Sequence, residues 1–243
     1  MRVLVLFGSA SDRGVYEPLR SALNDREVSH DFRVCSAHKS PRYLDSLLQD
    51  AGERYALVIA GAGLAAHLPG VVASRLIQPV VGVPVNAALG GADALLSVLQ
   101  MPPGVPVLAV GVDQAAEAAA AAGLLQREGI SLLDGFPEQR VSSAKALCER
   151  FGIELLPPGK GITIAPAPLG SRQQGDILVP LAERSDARDI GKLMEMTRSG
   201  LWVGINRLDN AVLAAVELLN ARGAYTRELL AYRAELEEQY APH

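Results

Sequence analysis

Three short loops of this chain combine small, hydroxyl-bearing and basic residues, and each follows an apolar run that is typical of a buried strand. They comprise residues 8–12 (Gly-Ser-Ala-Ser-Asp), 36–41 (Ser-Ala-His-Lys-Ser-Pro) and 65–70 (Ala-Ala-His-Leu-Pro-Gly). Such a turn at a strand end points backbone N–H groups and short polar side chains outward, which suits a phosphate or a ribose. Because the carboxyl ends of parallel strands meet at one edge of a sheet, we expect the loops to form one ligand site.

His38 is the candidate catalytic residue, and it is flanked by Ser36, Lys39 and Ser40. An isolated loop histidine is most often a surface or structural residue. A neutral imidazole beside a cation and two hydroxyls can instead exchange a proton with a bound anionic ligand, and these neighbours favour that interpretation. Lys39 can pair with a phosphate as a point charge.

Asp12 and the third loop leave two interpretations open. Asp12 begins the first predicted helix, where the helix dipole favours a carboxylate, but it could equally accept hydrogen bonds from ribose hydroxyls while Ser9 and Ser11 donate to phosphate. Residues 61–63 (Gly-Ala-Gly) have the small side chains that allow a backbone to approach a ligand closely. His67 could contact that ligand or pack as a structural residue.

The composition of the 243-residue chain argues against several classes of protein. Its formal charge of −4 offers no basic face, so we expect no nucleic-acid partner. Cys35 and Cys148 lie far apart, which argues against a disulfide scaffold or a zinc site and indicates a cytoplasmic protein. We see no signal-peptide pattern and no stretch apolar enough to span a membrane.

Strand-like and helix-like segments alternate along the chain, which predicts a doubly wound parallel sheet covered on both faces. Residues 157–175, rich in proline and glycine, are predicted to form a long loop that acts as a lid through Lys160 and Arg172. The predicted strands are 3–7, 32–35, 56–60, 80–83, 105–112, 130–133, 153–156, 177–181 and 201–205; the predicted helices are 12–24, 41–52, one after Pro69, 92–99, 114–126, 141–151, one capped by Ser185, 209–220 and 225–240.

The chain resembles the N5-carboxyaminoimidazole ribonucleotide mutase / aminoimidazole ribonucleotide carboxylase family of purine biosynthesis. The matching segments follow the family's order and are 8–12, 36–41, 60–70, 82–85 and 91–102. The resemblance implies a flavodoxin-like α/β fold with three αβα layers and a small ribonucleotide substrate. It also implies a homo-oligomer, usually an octamer, with no metal or organic cofactor.

The resemblance further assigns roles to residues of this chain. His38 corresponds to the proton-transfer histidine, and residues 61–68 close over the imidazole of the substrate. In the mutase reaction the carbamate loses CO2, C4 of the aminoimidazole captures it, and the histidine moves the C4 proton to the departing nitrogen. The substrate-binding positions implied are Gly8, Ser9, Ser11, Asp12, Ser36, Lys39, Gly61, Ala62, Gly63, Ala66, His67 and Leu68.

Two features bear on which family branch the chain follows. The mutase branch generally has arginine after the histidine, whereas Lys39 is typical of the branch that uses free CO2. The 65–70 loop is of the mutase type, and because it shapes the CO2 pocket directly, it favours the mutase. The alternatives are a carboxylase that uses CO2 directly and a non-catalytic paralogue that binds a nucleotide.

The second half of the chain departs from the family pattern. The family's penultimate helix matches residues 210–219, preceded by 203–205, so we predict a core of residues 1–112 plus 203–243 with an α/β insertion at 113–202. The alternative places that helix at 114–126 and treats the remainder as an appended domain.

Overall fold

The computed structural model describes residues 1–241, and the first half of the chain forms a five-stranded parallel sheet. Strands β1 and β4 are buried along their whole length, which explains why neither contains a polar side chain. The order β2-β1-β3-β4-β5 is that of flavodoxin-like folds. The strands are β1 (Val3–Phe7), β2 (His30–Val34), β3 (Leu57–Gly63), β4 (Val80–Val85) and β5 (Leu108–Ala109).

Helices cover both faces of this sheet, which confirms the predicted doubly wound α/β fold. Helix α1 and a 3-10 helix at Ala115–Ala120 pack in the hydrophobic core on one face of the sheet. Helices α2, α4 and α5 pack in the core on the other face. The helices are α1 (Arg13–Asp25), α2 (Pro41–Gln49), α3 (Ala51–Arg54), α4 (His67–Ala73), α5 (Ala92–Leu99), α6 (Ala121–Leu124), α7 (Glu138–Arg150), α8 (Ile190–Met196), α9 (Leu208–Leu219) and α10 (Thr226–Tyr240).

A second, three-stranded parallel sheet has the order β6-β7-β8 and consists of β6 (Ile130–Leu132), β7 (Ile162–Pro168) and β8 (Ile177–Leu181). Alternate residues of these strands belong to different cores. Ile164 and Val179 share a core with α7 and α9, whereas Leu178 shares the other core with α8. The second sheet therefore has helices on both faces.

Trp202 joins the two sheets. Its backbone N–H donates to Ala109 O (2.8 Å) and its carbonyl accepts from Ala109 N–H (2.6 Å), which is an antiparallel pairing. On its other side, Trp202 pairs with Leu178 in parallel. The strands of the second sheet consequently run opposite to those of the first, so the carboxyl ends of the two sheets lie at opposite edges.

The sequence prediction was wrong for residues 157–175, because this segment contains β7. Pro166 and Pro168 concealed the strand, since proline cannot donate a ladder hydrogen bond and usually marks a loop or a sheet edge. A continuous mobile lid over 157–175 is therefore wrong, although a short loop remains between β7 and β8.

Other predicted elements are shorter than expected. The predicted strand 105–112 pairs only along β5, and the predicted strands 153–156 and 201–205 are reduced to isolated bridges at Leu155 and Trp202. The predicted helix 114–126 is divided between the 3-10 helix and α6. Five of its alanines are buried, at 115, 118, 119, 121 and 122.

The contacts of residues 113–241 show how the second half of the chain packs. The 3-10 helix at 115–120 packs against α1, and α9 packs against α7, β7 and β8. The amide of Asn210, at the start of α9, donates to Pro102 O and accepts from Gly104 N–H, both at 2.9 Å. The division into a core and a 113–202 insertion stays a prediction.

A buried ion pair fastens α10 to the rest of the protein. Arg233 Nη2 lies 3.1 Å from Glu217 Oε1 of α9 and 3.2 Å from the carbonyl oxygen of Ala73, at the end of α4. Burial raises the pKa of Glu217 to about 8, against the lowering effect of Arg233. Glu217 thus lies in a strongly desolvated position.

Within residues 1–241, Cys35 and Cys148 are both free and buried, and burial raises the pKa of Cys148 to about 11. In the same part of the chain, no three His, Cys, Asp or Glu side chains are grouped as metal ligands. Nor does any helix of the described chain have the length and apolar character to cross a membrane.

Candidate active site

The strand order brings the three polar loops to one edge of the first sheet. Strand β1 lies between β2 and β3, and Phe7 at its end pairs in register with Val34 and Gly61. The loops that follow these strands therefore begin at the same level. Strand β2 lies on one side of β1, and β3 and the later strands lie on the other, so the strand order reverses at β1. Open α/β sheets bind ligands at such a switch point.

Ser9, Ser11 and Asp12 form a connected hydrogen-bond network in the first loop. Ser9 Oγ accepts from Ser11 N–H (3.2 Å) and lies 2.7 Å from Ser11 Oγ, while Ser11 Oγ donates to Asp12 Oδ1 (3.1 Å). Ser9 thereby caps the 3-10 turn that precedes α1, and both hydroxyls remain exposed. The loop presents two hydroxyls and one carboxylate to a ligand.

Asp113 is a residue of this edge that the sequence analysis missed. Burial raises the pKa of Asp12, its hydrogen bond from Ser11 lowers it, and the nearby charge of Asp113 raises it. Asp113 Oδ1 accepts from Asn86 N–H at 2.9 Å, and the backbone of Asp113 is left-handed, with φ of 60°. The available signal was that Asp113 directly follows the apolar run 105–112, as the other loops follow theirs.

His38 and His67 meet across two loops. His38 Nε2 lies 2.8 Å from His67 Nδ1, and the rings are roughly perpendicular, at 75°. One of these nitrogens must donate and the other must accept. Both side chains are exposed, which leaves them accessible to a ligand. The sequence analysis had left the role of His67 open.

Ser36 and Lys39 lie in the same loop as His38. Ser36 Oγ accepts from Lys39 N–H at 3.2 Å, which closes the turn that carries the histidine. The side chain of Lys39 is exposed, and none of the ion pairs formed within residues 1–241 includes it. Its ammonium group is therefore available to an anionic ligand.

The end of strand β3 shows why small residues are needed there. A Cβ atom at Gly61 would lie 2.3 Å from the ring of Phe7, so this glycine is required by packing, and one at Gly63 would lie 2.7 Å from Ala87 Cβ. Gly8 donates its N–H to Gly61 O at 2.9 Å, which connects the first loop to the end of β3. Ala62 is only partly buried.

The remaining two predicted site residues face the protein interior. Ala66 is 3% exposed and Leu68 is 2% exposed, and both belong to the core that contains α2 and α4. Ala66 has a left-handed backbone, with φ of 36°, immediately before α4. This turn directs the chain so that His67 lies next to His38, while the side chains of Ala66 and Leu68 pack in the core.

The strand order and the loops at its switch point define a flavodoxin-like α/β protein with a candidate ligand site at the carboxyl edge of its first sheet. Residues 2–133, just over half of the chain, match the family AIRC, described as AIR carboxylase. The chain therefore belongs to the AIR carboxylase family.

Relatives of known name give the same result. The N5-carboxyaminoimidazole ribonucleotide mutase of Pyrococcus abyssi is 48% identical over 120 residues, which cover 49% of this chain and 69% of that protein. The mutase of Escherichia coli K12 is 46% identical over 122 residues, covering 49% and 72%. The chloroplastic phosphoribosylaminoimidazole carboxylase of Vigna aconitifolia is 48% identical over 115 residues, covering 46% and 21%.

Proposed function

We propose that this protein converts N5-carboxyaminoimidazole ribonucleotide to 4-carboxy-5-aminoimidazole ribonucleotide in purine biosynthesis. Membership of the family and the names of its relatives support the reaction. The observation that carries the proposal is the 2.8 Å contact between His38 and His67, because it supports a proton-transfer pair formed by the loops after β2 and β3, the strands on either side of β1 and its hydroxyl-rich loop.

The ribonucleotide is proposed to lie across the three loops. Ser9, Ser11 and Asp12 supply donors and an acceptor for the ribose and phosphate, and the free ammonium group of Lys39 pairs with the phosphate. The third loop would cover the imidazole, with His67 at its tip. This arrangement puts the reacting ring beside His38.

The reaction then needs only a proton carrier and a closed site. The bond between the exocyclic nitrogen and the carboxylate breaks and releases CO2, C4 forms a new bond to the carbon of CO2, and the C4 proton moves to the exocyclic nitrogen. His38 accepts the proton from C4 and returns it to nitrogen, so the enzyme ends in its starting state. The hydrogen bond between His67 and His38 orients the ring of His38 during both transfers.

One pair of assays tests the proposal. The purified protein is supplied with the carbamate substrate alone, and separately with aminoimidazole ribonucleotide plus bicarbonate. Turnover of the carbamate without bicarbonate is the expected result. Turnover only of aminoimidazole ribonucleotide with bicarbonate would assign the carboxylase reaction, which Lys39 and the carboxylase relative favour. Binding without turnover of either would assign a non-catalytic paralogue.

We also propose that the protein is cytoplasmic and acts as a homo-oligomer. The two free, buried cysteines support a reducing compartment. Light scattering coupled to size-exclusion chromatography tests the assembly, and a mass that equals one chain would exclude it.

A further inference from the structure

A second cavity lies outside the site described above, on the α8 side of the second sheet. Its volume is about 1250 Å³, and the loop between β7 and β8 borders it together with α8 and the segment that leads to Trp202. Typical small-molecule sites have volumes of about 300–1,000 Å³, so there is room for a ligand of nucleotide size. No proposed step of the mutase reaction uses this cavity.

Positive charge predominates in the lining of this cavity. Arg172, Lys192 and Arg198 line it, against one acidic residue, Glu195, although the chain as a whole has a formal charge of −4. Arg198 pairs with Glu195 at 3.1 Å and Lys192 pairs with Asp189 at 2.9 Å, and both cations are largely exposed. Exposed pairs of this kind are weak and rearrange readily.

Arg172 has no such partner: within residues 1–241, no carboxylate lies within ion-pair distance of its guanidinium group. A guanidinium presents several donors in a fixed plane and pairs with phosphate through two parallel hydrogen bonds. It is the strongest unused anion-binding group that lines this cavity.

Ser171 also borders this cavity, and its hydroxyl oxygen is buried and has no hydrogen-bond partner in the described chain. Buried polar groups in proteins are almost always paired. Because this oxygen has no accessible surface, the Ser171 side chain must rotate before the hydroxyl can bond to a ligand in the cavity. Leu178 and Met196 border the same cavity, although little of their surface is exposed, at 3% and 8%.

We propose that this cavity is a second binding site, which takes an organic phosphate with an apolar or planar body. Arg172 binds the phosphate, Ser171 contributes a hydrogen bond, and the body of the ligand covers Leu178 and Met196. The site is independent of the proposed mutase reaction, because none of its residues belongs to the three polar loops.

The only tryptophan of the chain, Trp202, also lines the cavity and provides a fluorescent reporter. Adenosine 5′-monophosphate is titrated into the wild-type protein while the emission of Trp202 is recorded, with adenosine and inorganic phosphate as separate probes. We expect saturable binding of the monophosphate at millimolar concentration or below, and much weaker binding of adenosine, which lacks the phosphate.

Three variants locate the site. Arg172→Ala should weaken binding of the monophosphate by roughly tenfold or more, because hydrogen bonds to charged groups are the strong ones. Arg127→Ala, which removes an exposed arginine elsewhere on the surface, should leave it unchanged. Lys39→Ala alters the first site and should also leave the Trp202 signal unchanged. Absence of a saturable signal, or equal losses in Lys39→Ala and Arg172→Ala, would overturn the proposal.

Discussion

His38 Nε2 and His67 Nδ1 are joined by a 2.8 Å hydrogen bond across 29 residues of chain. One ring donates and the other accepts, so the bond survives one added proton but not two. The contributions of the two rings can be separated by substituting one at a time.

Substitution of His38 tests proton transfer directly. His38→Asn should reduce turnover by roughly a hundredfold or more, because a general acid–base contributes about 10²–10⁴-fold. Substrate affinity should stay within roughly tenfold of wild type, because the group acts in the transition state. His30→Asn, whose histidine bonds only to Val28 O, is the control. Normal turnover in His38→Asn would remove His38 from the mechanism.

Two substitutions of His67 test whether its hydrogen bond to His38 contributes to turnover. The contact uses Nδ1, which the side-chain amide of asparagine can mimic, whereas leucine cannot. His67→Asn should therefore keep turnover within roughly tenfold of wild type, and His67→Leu should lose a further tenfold or so, since one net hydrogen bond is worth about 0.5–1.5 kcal/mol. A pH–rate profile that shifts in His67→Leu but not in His67→Asn indicates positioning. Equal rates in the two variants would argue against the hydrogen bond.

Substitution of Lys39 tests whether this residue acts in substrate binding or in the chemical step. Lys39→Ala should raise KM about tenfold while changing kcat little, because a phosphate contact is shared by the ground and transition states. Lys39→Arg should restore most of the affinity, and Lys145→Ala provides an exposed lysine as control. A loss confined to kcat would instead place Lys39 at the reacting carbon.

Asp113 is predicted to raise the pKa of Asp12. The charge of Asp113 raises the pKa of Asp12, so Asp113→Asn should lower that pKa while an oxygen remains to accept from Asn86 N–H. Burial is the larger cause and persists, so the pKa should stay above 3.8. Carbon-13 NMR titration of the Asp12 carboxyl measures the shift, with Asp25→Asn as control. An unchanged pKa would show that the two charges do not interact.

The buried pair of Glu217 and Arg233 gives a stability prediction with a definite pH dependence. Above about pH 8, where Glu217 is ionised, Arg233→Gln should destabilise the protein by about 3–5 kcal/mol, because it leaves a buried charge without its cation. Burial raises the pKa of Glu217 from 4.5 to about 8, so the folded protein holds this proton more tightly than the unfolded chain does. This contribution to stability is complete below pH 4.5 and is lost as pH rises through about 8.

The deficit of Arg233→Gln should accordingly be larger at alkaline pH than at acidic pH, as measured by urea unfolding at both. The matched control on the same helix is Glu235→Gln, which breaks an exposed pair with Arg150 and should change stability by less than about 1 kcal/mol. A deficit that is independent of pH would mean that Glu217 stays in one protonation state throughout.

Elements with strong local signals could be predicted from the sequence. Strand β1 and helix α5 begin and end where the apolar runs do, because glycine and polar residues bound them on both sides. Strand β7 could not be predicted, since its prolines contradict the local rule and only the strands on either side of it hold it in the sheet. The bridge at Trp202 involves one residue, so no alternation of apolar and polar residues in the sequence predicts it.

The candidate site was predictable as a set of loops but not as a set of contacts. Strand alternation indicates that the loops carrying Ser9, His38 and His67 share an edge. The pairing of His38 Nε2 with His67 Nδ1 depends on the left-handed turn at Ala66, which alanine rarely adopts and composition does not signal. Asp113 was missed because no hydroxyl-bearing or basic residue stands next to it in the sequence.

In the described chain, the bridge at Trp202 is the last strand pairing in sequence order. Ala109 and Leu178 both precede Trp202, so the facing edges of the two sheets have no partner there until residues 201–203 have been synthesised. Unpaired strand edges are templates for association with other chains. A chain that is truncated before residue 201 should therefore expose one such edge from each sheet.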